Sequence, residues 1–125
     1  MIAHRLHHAS LHVRDIERAR RFYGDVLGLE EIERPNFPFP GAWYRAGDAQ
    51  LHLIVTPPGL DVGTRPADVN PMAPHTAFAI EDYDAVRAYF QSRGIEVLEA
   101  GAAIGQMWVR DPDGNIVELI APPRG

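Results

Sequence analysis

Residues 8–28 read His8-Ala-Ser-Leu-His-Val-Arg-Asp-Ile-Glu-Arg-Ala-Arg-Arg-Phe-Tyr-Gly-Asp-Val-Leu-Gly28, and their pattern changes period once, at Asp15. Up to Val13 the apolar residues alternate, with Ala9, Leu11 and Val13 on one side and His8, Ser10 and His12 on the other, as in a half-buried strand. Beyond Asp15 the apolar residues Ile16, Ala19, Phe22 and Val26 recur at helical spacing. Asp15 stands where an N-cap belongs and Gly28 where a C′ glycine ends a helix, which predicts a strand over 6–13 and a helix over 16–27.

The same plan returns further along the chain. Asp15, Ile16, Ala19, Phe22 and Tyr23 fall on Asp82, Tyr83, Val86, Tyr89 and Phe90 at an offset of 67, and Gly28-Leu29-Glu30 falls on Gly94-Ile95-Glu96 at 66. Trp43-Tyr44-Arg45 then matches Trp108-Val109-Arg110, and Leu51-His52-Leu53-Ile54 matches Val117-Glu118-Leu119-Ile120. An internal duplication follows, each copy reading as strand, helix and three strands. The further strands are expected at 29–34, 42–46 and 49–56, then at 74–80, 95–99, 104–109 and 115–121, with a second helix over 83–93. Ala46-Gly47-Asp48 and Asp111-Pro112-Asp113-Gly114 read as hairpin turns. Residues 57–72, with prolines at 57, 58, 66 and 71, cannot form a regular element and join modules 6–56 and 73–121 of a single domain, 1–125. A second proline-rich stretch, Arg34 to Gly41, carries Phe37 and Phe39, which cover core edges or wall a pocket.

Composition narrows the function classes. A chain of 125 residues with 46% hydrophobic and 23% charged residues is that of an ordinary globular domain. Net charge is −5 and the basic residues, all arginine, are scattered, so nucleic acid is not an expected partner. No apolar stretch reaches the length of a membrane span, no export signal is visible, and cysteine is absent, all of which point to a cytoplasmic protein without disulfides or thiolate chemistry.

Strand alternation places four potential ligands on one kind of face: His8 opposite Ala9 and Leu11, His52 opposite Leu51 and Leu53, His75 opposite Thr76 and Phe78, and Glu118 opposite Val117 and Leu119. In the duplication His8 maps onto His75 and His52 onto Glu118. A pseudo-two-fold would bring the two pairs around one axis, where imidazoles and a carboxylate suit one divalent ion such as Zn, Ni, Fe, Mn or Co. His12, four residues of about 3.3 Å rise beyond His8, is too far to share that sphere. His4 and His7 read as solvated spacers, and Arg45 and Arg110 as surface groups or anchors for a substrate anion.

With these motifs in place, the chain is identified as a member of the vicinal oxygen chelate superfamily, the glyoxalase/bleomycin resistance protein/extradiol dioxygenase group. The resemblance rests on His8-Ala-Ser-Leu-His-Val13, Asp15 with Phe22-Tyr23-Gly-Asp-Val-Leu-Gly28, Leu51-His-Leu53, Pro74-His75, and Asp111-Pro-Asp-Gly114 followed by Val117-Glu118-Leu119. It implies an α+β fold of two βαβββ modules forming a half-open β-barrel cup around a metal, with ligands at His8, His52, His75 and Glu118. Glyoxalase I-like proteins usually carry Glu at the place of His52, and epimerase-like relatives Gln. The expected function is lyase- or isomerase-type chemistry on a small metabolite chelated through adjacent oxygens, with Glu118 as base and a homodimer as the assembly. The alternatives are an Fe(II) dioxygenase using His8, His75 and Glu118, and a metal-free drug-binding protein of the bleomycin-resistance type.

Overall fold

A computed structural model describes residues 1–124. The chain divides into two compact units, Met1–Thr64 and Arg65–Gly125. The first contains β1 (His8–Val13), α1 (Ile16–Arg20), a π-helical turn (Arg21–Val26), β2 (Glu30–Ile32), β3 (Gly41–Ala46) and β4 (Ala49–Val55). The second contains β5 (His75–Ala79), α2 (Tyr83–Ser92), β6 (Leu98–Gly101), β7 (Gln106–Arg110) and β8 (Ile116–Ile120). The βαβββ plan is therefore present twice.

Both sheets have the same order, β1-β4-β3-β2 and β5-β8-β7-β6, with the first strand parallel to the last and the other pairs antiparallel. Each helix starts where an aspartate satisfies free backbone N–H groups. Asp15 Oδ1 accepts from the amides of Glu17 and Arg18 at 3.0 and 3.2 Å, and Asp82 Oδ1 accepts from Ala85 at 3.1 Å. In the first unit Ala19, Phe22 and Tyr23 are buried, as are Ala42, Tyr44, Leu51 and Leu53 on the strands. Ala42 pairs with Leu53 and Tyr44 with Leu51, so these four share one sheet face while Trp43 and His52 share the other. Tyr83, Phe90, Met107, Val109, Val117 and Leu119 make the matching core of the second unit.

Most boundaries shift by a residue or two from the sequence reading, and three of the differences have a clear local reason. The helix expected over 16–27 is α-helical only to Arg20; from there Leu27 N donates to Phe22 O at 2.8 Å, an i→i+5 bond. The strand expected over 95–99 begins at Leu98, because Ile95 N is spent on Phe90 O at 3.0 Å in closing α2. The strand expected over 104–109 begins at Gln106, since Gly105 turns at φ +91 with its N–H on Gly101 O at 2.8 Å. The two turns form as expected. Gly47 has φ +60 and Asp48 does not have positive φ, the type II′ signature between Ala46 and Ala49. In the other turn Asp111 Oδ1 accepts from Asp113 N and Asn115 N at 2.8 Å each, and Gly114 has φ +85.

Candidate metal centre

In each unit the donor pair is set by strand register. In the first, His52 on β4 pairs with Ser10 on β1, two residues beyond His8; in the second, Glu118 on β8 pairs with Ala77 on β5, two residues beyond His75. The offset is the same in both copies. Two residues along a strand return to the same face, so each pair consists of diagonal neighbours within reach of one another.

The second pair is in direct contact: His75 Nε2 lies 3.0 Å from Glu118 Oε1, a hydrogen-bond distance. His75 Nδ1 is 2.7 Å from Ala73 O, so its N–H donates to that carbonyl and fixes the ring with Nε2 turned to Glu118. Glu118 is buried, at 6% exposure, and both oxygens are held from β7: Trp108 Nε1 donates to Oε1 and Gln106 Nε2 to Oε2, each at 3.1 Å.

The first pair is arranged differently. The His8 and His52 rings stack with centroids 4.0 Å apart and planes at 16°, and His52 stacks on its other side against Trp43 at 3.9 Å and 0°. His52 Nε2 is 2.8 Å from Gln50 Oε1. Burial, followed by the neighbouring His8, His7 and Arg34, pushes the His52 pKa down to about 4. His52 is thus neutral at pH 7, the form in which imidazole binds metals. In-plane lone pairs of parallel rings do not converge, so joint coordination by His8 and His52 requires one ring to turn. Among the described residues, no group of three or more His, Asp or Glu side chains is gathered around one point.

The remaining candidates also have places. His7, expected as a solvated spacer, brings Nδ1 to 2.8 Å from His8 Nδ1. His12 Nδ1 lies 3.5 Å from Thr56 Oγ1, further along β1 than His8. Arg45 meets Glu30 at 3.2 Å and Arg110 donates to Ala67 O at 2.6 Å, so both have local partners. Phe37 and Phe39 stack at 5.3 Å and 9°, with the Arg34 guanidinium 5.1 and 5.0 Å from their centroids. They line a concavity of about 420 Å³ together with Ile16, Arg20 and Gly41, and Phe37 lies 6.1 Å from Trp43. Sequence reasoning did not assign Trp108, Gln106, Gln50 or Trp43 to the donors. Period-2 alternation carries the signal: Trp43 and Trp108 sit opposite His52 and Glu118 in the antiparallel pairs.

Two copies of a βαβββ module, each presenting a donor pair at the same register, define an α+β protein of the paired-module class. Comparison with known proteins identifies the family. The profile of the Glyoxalase/Bleomycin resistance protein/Dioxygenase superfamily matches residues 5–119, and the chain belongs to that superfamily. It is 31% identical over 120 residues to "Glyoxylase I 4" of Arabidopsis thaliana, covering 91% of this chain and 68% of the relative. It is 29% identical over 123 residues to a lactoylglutathione lyase of Haemophilus influenzae, covering 90% and 89%. Among solved structures it resembles a glyoxalase family protein from Bacillus anthracis, with a TM-score of 0.78, 27% identity and 97% of each chain covered.

Proposed function

We propose that this chain is a metal-dependent enzyme of the glyoxalase type, catalysing a lyase or isomerase reaction on a small metabolite bound through two adjacent oxygens. His8, His52, His75 and Glu118 are the proposed ligands of one divalent ion, brought together by a pseudo-two-fold relating the modules of a single glyoxalase-like domain. The observation that carries this reading is the repeated register, which sets a donor on the first strand diagonal to a donor on the last in both copies. Relatives named as glyoxalase I and lactoylglutathione lyase support the same reaction class. A homodimer working in the cytoplasm completes the proposal.

The donor set fits such an ion: three imidazoles, one of them held neutral by burial and another with its Nδ1–H already committed to a carbonyl, and one buried carboxylate. A divalent ion bound there would stabilise the oxyanion that forms when a proton leaves the carbon beside a carbonyl. The chain's own residues do the rest. Glu118 is the base, and its oxygens, fixed by Trp108 and Gln106, are aimed before substrate arrives. Phe37, Phe39 and Trp43 offer apolar surface beside His52, suited to hold the substrate's non-reacting part and exclude water.

One observation favours a second reading. The Nε2 of His52 faces Gln50 and its ring is clamped between His8 and Trp43. If His52 serves only as a wall, then His8, His75 and Glu118 form the two-histidine, one-carboxylate triad of an Fe(II) dioxygenase.

The test is metal content. The purified protein is expected to hold about one divalent ion per assembled site and to melt at lower temperature after a strong chelator, because a ligand that binds only the native state stabilises it. Protein that takes up no added metal and melts identically with chelator overturns the enzyme reading in favour of a binding protein.

A further inference from the structure

The Glu118 carboxylate is buried, with His75 Nε2 3.0 Å from Oε1 and no Arg paired with it among the described residues. Its fixed partners are two neutral donors from the adjacent strand: Trp108 Nε1 on Oε1 and Gln106 Nε2 on Oε2. Trp108 and Gln106 are two apart on β7, so they point to one face, and Trp108 is the residue paired across from Glu118. Met107 between them points the other way and is fully buried. The two partners differ chemically. Indole N–H can only donate and is fixed in the plane of its ring, whereas a carboxamide donates through NH₂ and can also accept through C=O.

We propose that Trp108 and Gln106 are positioning residues that between them fix both Glu118 oxygens. Trp108 holds Oε1, the oxygen 3.0 Å from His75 Nε2, and Gln106 holds Oε2, so the carboxylate is set in one orientation toward the proposed metal. This rests on the metal-dependent reading above and deepens it. A hydrogen bond to a metal-binding carboxylate fixes its orientation, so its loss weakens metal affinity more than it weakens the fold. Covering both oxygens with neutral donors also keeps the carboxylate's charge available to a cation.

The experiment compares Co²⁺ affinity and metal-free melting temperature in the parent, Trp108→Phe, Gln106→Leu and the control Met107→Ala. Trp108→Phe keeps a ring but loses the N–H, and is expected to bind about tenfold or more weakly. Gln106→Leu should shift affinity in the same direction. Met107→Ala empties space on the opposite face and is expected to lower the melting temperature while leaving affinity near the parent's. In parallel, because the chain has two tryptophans, the two indole N–H resonances can be assigned by Trp108→Phe, and in metal-free protein the Trp108 signal should shift on Glu118→Gln. Parent-like affinity in Trp108→Phe, or a Trp108 resonance unmoved by Glu118→Gln, overturns the inference alone. A parent that binds no Co²⁺ overturns the metal reading and the inference with it.

Discussion

His52 carries the heaviest load of any single residue in the account, since it separates the four-ligand reading from the triad. It is 6% exposed and clamped between two rings, and its pKa is pushed to about 4 by burial first and by the charges of His8, His7 and Arg34 after that. A histidine whose folded pKa lies below its unfolded value of about 6.5 stabilises the protein fully above pH 6.5, and that stability is lost as pH falls toward 4. The shift corresponds to on the order of 3 kcal/mol at about 1.4 kcal/mol per unit. Metal-free parent should therefore lose more urea resistance between pH 7 and pH 4 than His52→Gln does, and parallel curves would remove the buried neutral imidazole from the account. At this scale the sequence was legible where alternation alone decides. The faces of His8, His75 and Glu118 follow from their neighbours, and so does the contrast between the Leu51, Leu53 face and His52. It was not legible where partners depend on cross-strand distance: nothing within the chain's local pattern says that Gln50 meets His52 or that Trp108 meets Glu118.

The elements show how the two copies diverged. From Tyr23 to Gly28 the first copy has one residue more than the second has from Phe90 to Gly94, which is the change of offset from 67 to 66. The structure absorbs that residue as the π-helical turn Arg21–Val26, whereas α2 stays α-helical to Ser92. An extra residue in a helix widens one turn instead of lengthening the chain's path, so Phe22 and Tyr23 keep their buried places. The repeat offsets contained this information, but a 3.6-residue template cannot register a local i→i+5 bond, and the segment reads as ordinary helix. Gly24 in this turn offers a test. It lacks positive φ, and a β-carbon there would meet only Tyr44, at 3.6 Å from the hydroxyl, which is ordinary contact. Gly24→Ala should raise stability by about 0.5–1 kcal/mol through the unfolded chain's lost freedom. A lower urea midpoint would mean that the π turn needs glycine for a reason its backbone does not show.

For the whole molecule, duplication is the fact that connects fold with chemistry. The order of each sheet, its parallel outer pair and the diagonal donor offset are repeated, so each module presents its donor pair in the same way. Composition and charge had already set aside nucleic acid, and no helix among the described residues is long and apolar enough to cross a membrane. Neither the metal nor the substrate was legible, because those depend on how many donors engage and on a pocket built by loops such as 35–40, whose proline-rich sequence fixes no periodicity. The central claim is that one ion draws donors from both modules, and the most direct measurement is the proton NMR spectrum of the Co²⁺-loaded protein in water. Coordinated imidazoles give hyperfine-shifted, exchangeable ring N–H signals, one per ligand. Three are expected, from His8, His52 and His75, with the His75 signal slowest to exchange because Ala73 O holds its Nδ1–H. Two signals, with the one lost to His52→Ala absent from the start, would leave the triad and favour the oxygenase reading; one or none would contradict a shared site.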